Sequence, residues 1–184
     1  VLVVALVTAF GGWVVDDYGL RCTKCLETKH VVVQRFLGIP LYKRTQDHKP
    51  PGDYERVFGH SCEHVFRKGG FGRTTCSIFG SGIGCGRTGE GMVLAPRISA
   101  VGATYEAEKL LHDRELVHET FQLIDSLVPP DSSFERRKEL SPIDGVTLMR
   151  LAHHLHRVKT AEQWRAVLDA ARQGYEALNK LPVN

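Results

Sequence analysis

No charged side chain precedes Asp16, and no cysteine follows Cys85. The second absence confines thiol chemistry to the first half of the chain. The odd total of five cysteines excludes a fully paired disulfide framework. No histidine follows the Cys22-x-x-Cys25 pair, because position 26 is Leu26, so covalent c-type haem is excluded. Length and composition exclude more. With 184 residues, 42% of them hydrophobic and 24% charged, the chain is neither collagenous, nor disordered in bulk, nor a disulfide miniprotein.

The uncharged run from Val1 to Val15 (VLVVALVTAFGGWVV) admits three readings: a membrane helix, a signal-peptide core, or a buried element of a soluble fold. At about 1.5 Å per residue, fifteen residues reach roughly 22 Å, short of a bilayer core of about 30 Å. The signal-peptide reading lacks a basic segment before the run and a small-residue cleavage site after Ala9. Gly11, Gly12 and Trp13 suit the end of a membrane helix, with Asp16 and Asp17 marking its exit. Opening on Val1 rather than methionine fits a span that is truncated here. The expectation is therefore a membrane anchor over 1–19. Arg21, Lys24 and Lys29 follow it, which by the positive-inside rule favours a body on the cytoplasmic face.

Charge divides unevenly along the chain. Residues 1–20 carry −2, residues 21–95 carry +6 and residues 96–184 carry −1. Nine of the eighteen glycines fall between Gly69 and Gly91, and the sequence beyond Pro96 turns to Leu, Ala, Glu and Arg. These shifts predict a Cys/His/Gly-rich antiparallel β module over 20–95 and a helical domain over 96–184, giving an α+β protein. In the module, His30 to Leu37 and Ile39 to Thr45 predict a hairpin about Gly38, with a loop from Thr45 to Asp53. Glu63 to Lys68 and Arg73 to Phe79 predict a second hairpin about Gly-Gly-Phe-Gly. In the helical domain, apolar spacing of three and four from Leu116 predicts a helix stopped by Pro129-Pro130. Ser141-Pro142 opens the next, Thr160-x-x-Gln163 caps a last one reaching Leu178, and an earlier helix covers Ile98 to Leu111.

The chemistry-bearing pattern is Cys22-Thr23-Lys24-Cys25 followed by His60-Ser61-Cys62-Glu63-His64. Two cysteines at this spacing bind one zinc ion, and residues two apart on extended chain point to one face, where they converge on the same ion. The expected metal ligands are Cys22, Cys25, Cys62 and His64, with His60 as alternate or supporting residue. The order of knuckle, hairpin and second ligand pair resembles a zinc ribbon, although C-x-H stands where a ribbon closes with C-x2-C. Disulfide or redox use of the same cysteines, and unbridged thiols, compete with zinc. Cys76 and Cys85 read as structural cysteines.

Two further patterns fail on context. Gly84-x-Gly86-x-x-Gly89 matches a dinucleotide loop literally, and Ser81 to Thr88 approaches a phosphate loop, but Met92 to Pro96 predicts no helix N-terminus to receive a phosphate. The run reads as a pliable loop. His153, His154 and His156 lack a partnering carboxylate at metal-site spacing and read as surface or dipole-complementing residues.

No catalytic constellation emerges from these patterns. They point to a membrane-anchored accessory or scaffolding subunit of a larger membrane complex, such as an energy-transducing one, held in the bilayer through Val1 to Val15 and carrying structural zinc. The alternatives are a thiol- or metal-dependent enzyme using Cys22, Cys25, Cys62 and His64, and a basic nucleic-acid-binding module. The modest charge of 21–95, and the few stacking candidates Phe66, Phe71 and Phe79, argue against nucleic acid.

Overall fold

A computed structural model describes residues 13–36, 38–49, 54–77, 80–86, 89–132 and 141–182, with only the backbone described at 13 and from 68 to 93. The chain is α+β, with a sheet of antiparallel hairpins and a helical C-terminal part. Five strands, β1 (Trp13–Cys22), β2 (Thr28–Phe36), β3 (Ile39–His48), β4 (Phe66–Ser77) and β5 (Gly80–Gly86), lie in the order β3-β2-β1-β4-β5. The helices are α1 (Tyr54–Phe58), α2 (Gly89–Leu111), α3 (Arg114–Leu127), α4 (Pro142–Leu155), α5 (Ala161–Gln173) and α6 (Tyr175–Lys180).

Two compact units interleave along the chain. One comprises Val1–Arg21, Glu27–Lys49 and Phe66–Gly91; the other comprises Cys22–Leu26, Pro50–Val65 and Met92–Asn184. Their formal charges are +5 and −2. Of the stretch 20–95 read as one β module, the segments Cys22–Leu26 and Pro50–Val65 therefore belong with the helices.

In the sheet unit, β1 and β2 pair antiparallel from Trp13 opposite Phe36 to Arg21 opposite Thr28. The β-branched run of β2 alternates about the sheet, burying Val31 and Val33 on one face. Asp16 lies opposite Val33 on that face, 4% exposed, with its Oδ2 3.1 Å from Arg35 Nε. Asp17 pairs with His30 on the other face. The β2–β3 hairpin turns at Gly38, as the sequence predicts.

The membrane-helix expectation meets this strand. Trp13, Val14 and Val15 open β1 instead of closing a helix, because they pair with Phe36, Arg35 and Gln34. The rest of that run, 1–12, lies outside the described residues. Among the described residues no helix is long and apolar enough to cross a membrane.

The second predicted hairpin is misplaced. β4 runs straight through Gly69-Gly70-Phe71-Gly72, and its partner is β5, the glycine run read as a loop. The glycines of this pair give no alternation to read in the sequence. Its register sets Cys76 opposite Ser81 and Cys85 opposite Gly72. Four rungs, about 13 Å, separate the two cysteines, too far for a disulfide between them. α2 begins at Gly89, so a helix does follow the glycine run, contrary to the sequence reading; Pro96 lies inside it. The strands before it form an antiparallel hairpin and not a parallel βαβ unit, so the dinucleotide match still lacks its fold context.

In the helical unit, Asp113, Ser141 and Thr160 cap α3, α4 and α5 by accepting from Leu116, Ile143 and Gln163 amides. Gln163 reaches back to accept from the Lys159 amide. Leu116, Ile124, Leu148, Leu151, Leu155, Trp164, Leu168 and Leu178 fill the core at 2% exposure or less. The predicted last helix is broken at Gly174, whose φ of 107° only glycine adopts without strain, leaving α6 separate. His154 also departs from its surface reading: it is 5% exposed, while His156 is exposed and pairs with Glu106.

Candidate metal centre

The turn between β1 and β2 supplies the first ligand pair. Cys22 ends β1, the chain turns through Thr23 and Lys24, and Leu26 closes the turn with a positive φ of 65°, its amide donating to the Cys22 carbonyl. Leu26 tolerates that backbone because its side chain is buried in the helical core, against Gly102 of α2. The second pair follows α1. Gly59, at φ 75°, donates to the Glu55 carbonyl and redirects the chain out of that helix into residues 60–65. Thr23 N–H donates to the Val65 carbonyl at 3.1 Å, tying the two segments together.

These elements bring Cys22, Cys25, Cys62 and His64 together, with one ligand atom from each lying within 4.8 Å of the others. The cluster could hold a metal ion. Cys22 Sγ and Cys62 Sγ are 3.8 Å apart, and Cys25 Sγ and His64 Nδ1 are 3.4 Å apart. A tetrahedral ion with sulfur at about 2.3 Å and nitrogen at about 2.0 Å sets edges of about 3.8 Å and 3.5 Å, which these two pairs match. The three cysteines are unbridged. Cys22 and Cys25 are buried, Cys62 is half-buried and His64 is exposed. All four belong to the helical unit.

His60, the alternate ligand, takes no part in the cluster. Its ring packs edge-on against Tyr54 at 5.6 Å and tilts over Phe58 at 6.3 Å. Phe58 in turn stacks on His118 of α3 at 4.7 Å and meets Phe121 at 5.0 Å. This aromatic group anchors α1, and with it the second ligand pair, to the bundle.

Electrostatics set Cys22 and Cys62 apart. Hydrogen bonding from Cys25, with backbone amides and His64, holds the Cys22 thiol well below its ordinary range despite burial. Burial, together with the facing Cys22 charge, pushes Cys62 up. A bound cation removes that conflict by letting both ionise.

Two residues absent from the sequence reading, Arg97 and Tyr105, fix the knuckle together with its own Thr23. Arg97 of α2 is fully buried and donates from Nε to the Thr23 carbonyl at 3.2 Å, and from its two terminal nitrogens to the Val128 carbonyl and Asp125, each at 2.6 Å. Tyr105 donates to the Lys24 carbonyl at 3.3 Å. Thr23 donates to the Pro130 carbonyl at 3.0 Å. Every carbonyl from Cys22 to Lys24 thus has a donor. A charge at a core position was the available signal, since Arg97 and the buried Glu108 fall on the stripe Leu94, Val101, Thr104, Tyr105.

Comparison with protein-family models, with curated proteins and with solved structures finds no match to this chain.

Proposed function

We propose that the protein is a non-catalytic accessory subunit of a larger membrane assembly, its helical unit stapled by one structural zinc ion. The observation that carries this reading is a set of four protein donors within 4.8 Å of one another, beside a knuckle whose backbone is locked by hydrogen bonds. Three sulfurs and one imidazole suit zinc over the harder divalent ions, and four protein ligands leave no open position for substrate, which marks a structural site. The membrane part of the proposal rests on the uncharged residues 1–12 that precede β1.

Two measurements test it. Plasma emission on purified protein is expected to give one zinc per chain; no metal, with Cys22 and Cys25 oxidised, overturns the site. Purification in native detergent is expected to retain other subunits; a monodisperse lone chain overturns the accessory role.

The lowered pKa of the Cys22 thiol favours a second reading, a thiol-dependent enzyme. Alkylation separates the two. Zinc-protected thiols support the staple, and rapid modification of Cys22 in metal-replete protein supports the enzyme.

A further inference from the structure

We propose that β3 is a docking edge, on which an extended acidic segment of a partner protein adds to the sheet as a further strand. Among the described residues β3 ends the strand order and pairs with β2 along one side, and all ten of its residues are exposed. From Tyr42 to His48 its register with β2 is regular, an edge about 20 Å long offering outward amides and carbonyls. Such an edge is a template for β-augmentation, where main-chain bonds give affinity and flanking side chains choose the ligand.

The side chains define that ligand. Ile39, Leu41 and Tyr42 are 62%, 58% and 50% exposed, three large apolar residues within four positions. Lys43 and Arg44 follow directly and form no ion pair among the described residues, on a unit of charge +5. An antiparallel partner strand that satisfies both halves reads acids first, then apolar residues.

A second copy satisfies only one half. Self-pairing centred on Thr45 sets Lys43 against Asp47 but sets Leu41 against Lys49 and leaves Ile39 beyond the paired strands. Self-pairing centred on Leu41 covers the apolar end but sets Lys43 of each copy against Ile39 of the other and carries Arg44 past the start of the strand to Gly38. A nucleic-acid strand draws affinity from several stacked aromatics, and β3 carries one, Tyr42.

This deepens the accessory-subunit reading by naming the chemistry of the docked segment. The probe is a fluorescein-labelled peptide of three acids followed by alternating valine and threonine, titrated against full-length metal-replete protein by anisotropy. Saturable binding is expected, lost when alternate peptide amides are N-methylated, and weakened at least tenfold in the K43E/R44E double variant. The variant is expected to bind the matching lysine peptide instead, with an unchanged thermal midpoint. Equal binding of the N-methylated peptide, which needs no variant, overturns the proposal. So does an oligothymidine that binds tighter and is lost in K43E/R44E, or a concentration-dependent dimer that excludes the peptide. Failure of the peptide while other subunits still co-purify refutes the edge and leaves the accessory role standing.

Discussion

Arg97 donates to the carbonyl of Thr23, a residue enclosed by the cysteines of the knuckle and 74 positions away in sequence. The guanidinium is fully buried and also holds Val128 and Asp125, so it joins the knuckle to α2 and to the end of α3. Arg97→Met should cost about 3 kcal/mol in denaturant unfolding, because it strands the Thr23 and Val128 carbonyls and removes the partner of Asp125. It should also weaken metal affinity by about tenfold to a hundredfold, since supporting residues tune ligand geometry. Asp125→Asn, at a half-exposed partner, should cost less on both readouts.

Cobalt in place of zinc reports the donor set. Wild-type protein should take up one equivalent with tetrahedral absorption and sulfur charge-transfer bands. Cys25→Ser should lose stoichiometric binding. His60→Ala should leave the spectrum unchanged, because His60 packs on Tyr54 and Phe58 and not in the cluster.

His154 sets a pH dependence. Its pKa is lowered from 6.5, first by burial and then by Arg150, while its ring bonds the Leu178 backbone and His153 and Arg157 add positive charge nearby. The unfolded chain therefore takes up a proton at a pH where the folded one does not. This contribution is complete above pH 6.5 and is lost as pH falls below it. Thermal midpoints should drop between pH 7.5 and 5, and His154→Asn, which retains a donor and cannot titrate, should flatten that slope.

Trp164 Nε1 donates to Thr120 Oγ1 at 3.0 Å, and both residues are fully buried. Thr120→Val keeps the volume but strands the indole N–H, and should cost about 1–3 kcal/mol by urea unfolding. Thr120→Ser retains the acceptor and should cost less.

The C-terminal helices were legible because their determinants are local. Ser141, Thr160 and the stripe through Leu148 to Leu155 act within a few residues of themselves. The Cys22, Cys25, Cys62 and His64 cluster was legible because pair spacing is itself a chemical constraint. β4 and β5 were not, since their glycines carry no side chain to alternate. Arg97 and Tyr105 reach 74 and 81 residues along the chain, and no local pattern encodes that distance. The break at Gly174 was hidden by an apolar stripe that continues through it to Leu178.

The helical unit is assembled from three stretches, Cys22–Leu26, Pro50–Val65 and Met92–Asn184. A ribosome delivering the chain from its N-terminus releases all four ligands before the carbonyl locks of α2 exist. Thiols that wait in this way are open to premature oxidation, and neither unit can be cut out as one continuous fragment. Nascent-chain thiol trapping should find Cys22 and Cys25 reactive until the residues that hold them have emerged.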